Sequence, residues 1–590
     1  MNRYRTGAIF ATLFAAVYIA LHYLPYLSPL RILSDDYMNV APVLWKFWSP
    51  DLFPGNLHMD YLYHKQTGVS WLYFYGYLFP LSGIINPISL LKMTGYSMLV
   101  LLFILAGQGF TSETDFYRAS IVTVVFLHLA PSVNPYPGLA RSFSVLAFMA
   151  LLWSERRGQK VPPIVLVAFT AGVYPPAALV MLVYVWFKLF ETCYSGEVGA
   201  EDFWPPIATL LLFLVMLTPY FTGMANPQFA SADTWVQPLE YNLYSLQGFW
   251  DTIVIGSGRT AFMRAKLTYV TFVVFGGLVL LQLLVLRGQF QWFRECKLLL
   301  LSGLFTWLCA HLLHPMIYHP FKYTRVVLPL IVVYLFCENY LSFFGRIRSW
   351  LGDLEWVGYG LLIPGLLLGI SYMGWLVVIG PSMFIQYMRN PGTVFWGLFL
   401  GSILMIAFLI TPIEEWEGVH WERWVPLALL VVWGFYPHCF TSCVVYYEDY
   451  FSVSNYRGMY KRLKQTPRKT VVAGPPGTMD TIPAYARRGV YFNHEQHKIK
   501  ALCERIRTFK KIYYSSSGEE ILSYLERTGV DYLVVNRLYY QPRFRLFGCG
   551  KRVRREGESV LNQQFSESEW EKRGIIYLLS RDDLRSAFRQ

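Results

Sequence analysis

Long apolar segments recur along this chain up to about residue 440 of its 590 residues. A helix needs about 20 apolar residues to cross a bilayer, and several of these runs are shorter than that. Only 15% of all residues are charged, against about 25% in soluble domains. The pattern predicts a polytopic α-helical membrane protein of about 13 spans. The runs lie at 8–26, 86–110, 119–129, 142–153, 162–173, 176–190, 205–221, 267–286, 298–313, 326–341, 357–379, 394–410 and 425–440.

Charges near the first span predict the orientation of the chain. Arg3 and Arg5 precede that span, which places the N-terminus in the cytoplasm. An odd number of spans then puts the first loop, about residues 27–67, and the region after residue 440 on the same outer side. Basic residues favour this topology at 156–160, 287–297 and 346–348, but the predicted inner loop at 191–202 is acidic.

The first outer loop carries two adjacent carboxylates, Asp35 and Asp36, just after the first span. A carboxylate within a membrane is costly, so an acidic pair at the interface calls for an explanation. One interpretation is a solvated acidic loop. The other is a catalytic or metal-binding pair held at the membrane surface.

Several basic residues lie in loops predicted to be outside, where orientation rules do not require them. Lys322 and Arg325 are three residues apart and share a face if a helix has begun there. They either snorkel to the interface or bind a lipid-linked phosphate. Arg141 lies at a helix start, where the dipole disfavours a cation, so we expect an anionic partner. That partner is either a substrate phosphate or the carboxylates of the Asp35 loop.

Three histidines, His311, His314 and His319, cluster at one predicted outer edge of the membrane, close to Tyr323. A zinc site would need supporting cysteine or acidic ligands, and the sequence shows none beside them. We therefore expect these four side chains to line a polar cavity.

The composition changes after about residue 441, where charges become frequent and apolar runs shorten. Strands are predicted at 470–474, 511–515 and 532–535, with a helix at 519–527 that ends at Gly529. This order predicts a soluble α/β domain with parallel strand pairing over residues 441–590. Gly474 to Thr481 resembles a phosphate-binding loop only superficially. Met479 and Asp480 replace its second glycine and its lysine, so nucleotide binding is not expected.

The net charge of +13 is compatible with anionic lipids or phosphate-bearing substrates. Nucleic acid is not an expected partner, because the basic residues are not gathered into a DNA-reading module. The eight cysteines show no metal-binding spacing, and the pairing of Cys503 with Cys549 stays open.

The first outer loop, with Ser34-Asp35-Asp36 following the first span, and the late soluble domain together resemble the GT-C class of integral-membrane glycosyltransferases. The stretches 136–142 and 321–328 are also similar to those of bacterial members. The resemblance covers the architecture of the whole chain, but its one motif is two residues long. It implies a catalytic membrane domain over residues 1–440 and an extracytoplasmic domain over residues 441–590, in a multi-pass plasma (inner) membrane protein.

The resemblance also implies a chemistry. The donor would be a polyprenyl-phosphate sugar, and the acceptor a glycan, a lipid or a protein on the outer face. Asp35 would act as base, and Asp36 would position the acceptor or ligate a divalent cation such as Mg²⁺ or Mn²⁺. Arg141, Lys322 and Arg325 would hold the lipid phosphate.

Two other function classes compete with this one. A transporter or flippase for lipid-linked saccharides would use the same cations without chemistry, but it should carry charges near the membrane midplane. The predicted spans are mostly free of charge except near their ends, which favours chemistry at the surface. The second alternative is an assembly factor with a receptor-like outer domain.

Overall fold

A computed structural model of the chain describes part of the sequence. The described residues are 35–63, 72–73, 75–76, 140, 143–196, 198–224, 277, 279–312, single positions within 327–349, 456–492, 500–536, 540, 559–563 and 576–589. The predicted spans at 8–26, 86–110, 119–129, 357–379, 394–410 and 425–440 lie outside these residues, and the total of 13 spans stays a prediction.

Five of the predicted apolar runs are helices. They are α3 (Phe143–Arg156), α4 (Val161–Val173), α5 (Pro175–Ser195), α6 (Trp204–Met224) and α7 (Arg294–Leu312), and residues 279–286 add a shorter helix. α4 packs against α3, α5 and α6, while α7 packs against α5. Two earlier helices, α1 (Asp35–Trp48) and α2 (Leu57–Tyr61), lie within residues 27–67, which we predict to be the first outer loop.

Paired prolines start three of these helices. Pro162-Pro163, Pro175-Pro176 and Pro205-Pro206 open α4, α5 and α6, where a missing amide proton costs no intrahelical hydrogen bond. Tyr174 separates α4 from α5 with an extended φ of −146°, as expected for a residue before proline. The break between the predicted apolar runs 162–173 and 176–190 is thus a proline turn between two helices.

Large apolar side chains remain exposed along regular stripes of α6 and α7. Leu211 and Val215 on α6 are 58% and 62% exposed, and Leu301, Leu304 and Leu308 form a similar stripe on α7. Such spacing places them on one helix face, and an apolar face of this kind suits lipid. Among the described residues, Pro175–Ser195 and Ala200–Pro219 are the helices long and apolar enough to cross a membrane.

Beyond residue 455 the described chain forms an α/β unit, which we call the C-terminal unit. It begins with a helix at 456–465. Its other elements are β1 (Val471–Ala473), α8 (Pro476–Met479), α9 (Ile482–Ala486), β2 (Gly489–Val490), α10 (Lys500–Tyr513), α11 (Gly518–Thr528), β3 (Tyr532–Asn536), α12 (Val560–Gln563), β4 (Ile576–Ser580) and α13 (Arg581–Arg589).

The four strands form one sheet in the order β2-β1-β3-β4. β1 pairs in parallel with both β2 and β3, and Val472 lies opposite Tyr532. β4 is antiparallel to β3. The strands predicted at 470–474 and 532–535 and the parallel pairing between them are therefore present.

The prediction of a strand at 511–515 is wrong, because these residues form the end of α10 and the turn after it. Ile506, Phe509, Ile512 and Tyr513 recur at helical spacing and are all buried. Their helical apolar face overrides the strand preference of the short Lys511 to Ser515 segment.

Candidate functional site

The acidic pair lies at the start of α1. Asp35 and Asp36 are the first two residues of that helix, where the exposed amide groups and the helix dipole favour negative charge. The structure describes their backbone, and the side chains of residues 35–40 lie outside the described part. The predicted pair is therefore located on a defined helix end in the first outer loop.

The middle of α1, residues 41–45, is tightly buried. Ala41, Val43 and Leu44 are inaccessible to solvent, and Trp45 is 7% exposed. Lys46 Nζ lies 2.5 Å from Asp60 Oδ1, which joins α1 to the helix after it. The indole of Trp48 donates a hydrogen bond of 3.2 Å to the Gly76 carbonyl. These contacts fix the direction in which α1 presents its acidic end.

The start of α3 and the end of α4 meet this part of α1. Phe143 at the start of α3 and Val173 at the end of α4 are buried in the same hydrophobic cluster as Val43 and Trp45. Tyr174, in the turn before α5, packs against that cluster. The turns that we predict to be outside therefore converge beneath α1.

The C-terminal unit covers α1 from its other side. Ala484 is buried in the α1 cluster, and Tyr485 packs against it. The guanidinium carbon of Arg487 lies 3.6 Å from the centroid of the Trp45 ring. Arg505 donates hydrogen bonds of 3.2 Å to the Gly55 carbonyl and 2.9 Å to the Tyr491 carbonyl, and burial lowers its pKa.

The other predicted site residues are only partly accounted for. His311 lies in the last turn of α7, with its side chain outside the described part. Arg141 is also outside it, but its neighbours Ala140 and Phe143 both pack in the α1 cluster. The residues His314, His319, Lys322, Tyr323 and Arg325 all lie outside the described residues. No group of three or more candidate metal ligands occurs within the described ranges.

Ion pairs lie at those ends of the helices α3 to α6 that are far from α1. Lys188 pairs with Glu155, whose side chain is 6% exposed, and Lys160 Nζ lies 3.2 Å from Asp202 Oδ1. Arg294 Nε donates a hydrogen bond of 2.6 Å to Glu191. Glu191, Glu201 and Asp202 of the acidic loop at 191–202, which fitted poorly with the predicted inner side, thus have basic partners in Arg294 and Lys160.

Sequence reasoning did not find the contacts of Trp45, Lys46, Arg487 and Arg505. For the contact between Gly55 and Arg505, the sequence carried no indication because the two residues are 450 positions apart. A single sequence carries no information on pairs at that distance unless they belong to a motif.

Several solved structures are similar to this chain at low sequence identity. ArnT from Cupriavidus metallidurans in the apo state superposes with a TM-score of 0.50 at 13% identity, covering 90% of this chain and 93% of that one. The same protein bound to undecaprenyl phosphate gives 0.48 at 12% identity, with 92% and 96% covered. The apo oligosaccharyltransferase of Archaeoglobus fulgidus gives 0.42 at 11% identity, with 90% and 69% covered.

No family model and no curated protein sequence matches this chain. The match to ArnT, a GT-C glycosyltransferase, extends over nine-tenths of both chains, so it concerns the whole architecture and not one helix bundle. The resemblance found in the sequence is thereby confirmed for the fold. This chain has the fold of ArnT, the fold of the GT-C class of glycosyltransferases.

Proposed function

We propose that this chain is a glycosyltransferase that moves a sugar from a polyprenyl-phosphate donor to an acceptor on the outer face of the membrane. The observation that carries the proposal is the position of the acidic pair. Asp35 and Asp36 open α1, and the second half of α1 is held where α3, α4 and α9 meet. A GT-C fold with two carboxylates on such a helix end is suited to chemistry at the membrane surface.

The proposed reaction uses few groups. The acceptor hydroxyl oxygen attacks the anomeric carbon of the donor sugar as the bond from that carbon to the phosphate oxygen breaks. The hydroxyl proton passes to the Asp35 carboxylate, which serves as general base. The electron pair of the broken bond stays on the polyprenyl phosphate, whose developing charge needs cationic stabilisation.

The basic residues supply that stabilisation in our proposal. Arg141, Lys322 and Arg325 hold the phosphate, since arginine binds phosphate bidentately and lysine acts as a point charge. The packing of Ala140 and Phe143 in the α1 cluster supports this role for Arg141. His311, His314, His319 and Tyr323 line the polar cavity beside these residues.

A divalent cation such as Mg²⁺ or Mn²⁺ fits the donor chemistry of the acidic pair, because carboxylate oxygens are hard ligands that suit such ions. Asp36, adjacent to Asp35 at the start of α1, is the residue that would hold the ion. When bound, the cation would neutralise charge on the departing phosphate.

Residues 1–440 form the catalytic membrane domain in this proposal, and residues 441–590 form an extracytoplasmic domain that recognises the acceptor or stabilises the assembly. The contacts of α9 and Arg505 with the first outer loop support placing both on one side of the inner membrane. Membrane lipids and a glycan, lipid or protein acceptor are the proposed partners.

The proposal is tested with the full chain in lipid nanodiscs and a panel of synthetic polyprenyl phosphates that carry a hexose, an N-acetylhexosamine or a pentose. Membrane extract from the source cells supplies the acceptor, and mass spectrometry follows the release of free polyprenyl phosphate. We expect release from one donor, and none from the double variant Asp35→Asn, Asp36→Asn. Movement of a donor across vesicle bilayers with its sugar still attached would instead identify a transporter.

A further inference from the structure

We propose that Arg487 is a positioning residue that orients α1, and with it the acidic pair, by stacking on Trp45. The importance of this orientation for catalysis rests on the proposed function, but the contact itself does not. We call the set of Trp45, Gly55, Arg487 and Arg505 the clasp between the first outer loop and the C-terminal unit.

The central contact of the clasp is a cation on an aromatic face. The Arg487 guanidinium carbon lies 3.6 Å from the Trp45 ring centroid, well within the distance at which such pairs attract. Trp45 is 7% exposed, so water screens little of the interaction. Tryptophan is the strongest of the aromatic partners, and a desolvated pair is stronger than an exposed one.

The backbone around Arg487 is held in an uncommon conformation. Arg487 has a φ of 56°, in the left-handed region that residues other than glycine rarely adopt. The next residue, Arg488, locks this turn, because its guanidinium donates to the carbonyls of Ala486 at 3.2 Å and Lys464 at 2.8 Å. The strain is thus maintained by its surroundings, as occurs where a side chain must be aimed.

A second contact holds the segment after α1. Arg505 donates to the Gly55 carbonyl and also lies 4.3 Å from the centroid of the Tyr491 ring. Phe53, two residues before Gly55, is fully buried and again has a positive φ, of 63°. Its Cα and the Pro54 carbonyl face Gly489 of β2. Phe53 thus adjoins Gly489, two residues after Arg487, so both strained non-glycine positions belong to segments that meet at this interface.

A change in the orientation of α1 at the clasp also changes the position of the acidic pair. Trp45 lies ten residues after Asp35 on the same helix, which corresponds to about 15 Å along its axis. Because Asp35 is this far from the contact with Arg487, a small tilt of the helix at Trp45 displaces the start of α1 by a larger distance. A misplacement of about 1 Å is enough to slow catalysis strongly.

Hydrogen exchange of the full chain in nanodiscs tests the clasp without any substrate. Arg487→Met keeps the length of the side chain but removes its charge. We expect amide exchange in residues 41–48 to accelerate about 2- to 30-fold, the range to which the free energy of a cation–π pair corresponds. Exchange in α4 and α5 should not change. Arg487→Lys keeps a cation over the ring and should restore most of the protection.

Three further variants make the test specific. Arg585→Met removes an exposed arginine of α13 that pairs with Glu526 and Asp582, so it should leave α1 unchanged. Trp45→Phe keeps a weaker aromatic face and should give an intermediate acceleration. In the double variant Trp45→Phe, Arg487→Met, the two effects should be less than additive, because both remove the same contact.

Equal exchange in α1 for Arg487→Met and the unmodified chain would overturn the proposal, as would full additivity in the double variant. If Arg487→Met does not fold, Arg487→Lys and Trp45→Phe provide the same comparison.

The consequence for catalysis is measured with the donor found in the transfer assay. Arg487→Met should lower kcat with little change in the KM for the donor, and Arg487→Lys should recover kcat. Loss of protection in α1 with an unchanged kcat would remove the positioning role and leave the transferase assignment intact. Absence of transfer by the unmodified chain would reject the proposed function and leave the exchange result valid.

Discussion

Gly474 occupies a place where a side chain does not fit. It follows β1 directly, and a Cβ there would lie 2.7 Å from Met479 Cε and 2.8 Å from Val534 Cβ. Met479 and Val534 are both fully buried in the core of the C-terminal unit. The glycine that resembles the first residue of a phosphate-binding loop therefore serves the packing of α8 against β3.

Gly474→Ala should lower the free energy of unfolding of the C-terminal unit by about 1–3 kcal/mol, because the added methyl group overpacks a closed core. Hydrogen exchange at the amides of β1 and β3 in the full chain measures this change. Gly458→Ala is the matched control, since no atom lies within 4 Å of its added Cβ and alanine favours the helix. Equal exchange rates in the two variants would show that the core around Gly474 relaxes freely.

Asp35→Asn keeps the size of the side chain and removes the charge that a base needs. Sugar transfer should fall by about 10²–10⁴-fold, the usual contribution of general acid–base catalysis, while donor binding is preserved. Transfer and donor binding are measured side by side in nanodiscs. Asp51→Asn makes the same change in an exposed turn just after α1 and should have no effect. Full activity of Asp35→Asn would exclude Asp35 as the base and make Asp36 the next candidate.

At the scale of single elements, the sequence of α11 specifies both ends of the helix and its buried face. Ser517 is its N-cap, and its hydroxyl accepts a hydrogen bond of 3.3 Å from the Glu520 amide. Gly529 ends the helix with a φ of 68°, in the left-handed conformation that suits glycine. The buried residues Ile521, Tyr524 and Leu525 share the inward face.

Ser517→Ala should destabilise α11 by about 1 kcal/mol, since one amide at the helix start loses its acceptor. Exchange rates of the first-turn amides of α11 give the size of the change. Ser523→Ala, at an exposed position in the middle of the same helix, should be neutral or slightly stabilising. A similar loss in both variants would mean that the serine hydroxyl has no capping role.

These elements show what could be predicted from the sequence. α11 and the α4–α5 proline turn were predictable because their caps and breaks lie within a few residues. The segment 511–515 was mispredicted because its aromatic, strand-favouring residues continue a helical face that begins at Ile506. The acidic pair was found as a motif in a loop where short helices were considered, but the bounds of α1 were not predicted. The contact of Arg487 with Trp45 could not be derived, since no local pattern links the two residues.

For the whole molecule, we infer that the α1 cluster and the ion pairs mark opposite ends of the helix bundle. Phe143, Val173 and Ala484 gather with α1, whereas Glu155, Lys188 and Asp202 lie at the other ends of α3 to α6. The arrangement agrees with a topology in which the first outer loop and the C-terminal unit share one side.

Thiol labelling tests that topology in cells. We expect a membrane-impermeant maleimide to label Ser516→Cys, at an exposed position before α11, in a chain in which only this cysteine and Cys193 remain. Cys193 is native and exposed near the opposite end, so it should react only after permeabilisation. Labelling in the reverse order would place the C-terminal unit in the cytoplasm and contradict the proposed outer site.

The clasp also has a consequence for biosynthesis. Gly55 and Arg505 are 450 positions apart, and a ribosome takes about 20–90 s to synthesise that length of chain. During this interval the α1 segment has been synthesised, but Arg487, which stacks on Trp45, has not. A nascent chain that stalls before residue 487 therefore cannot close the clasp, and the segment with the acidic pair is among the last parts of the protein to mature.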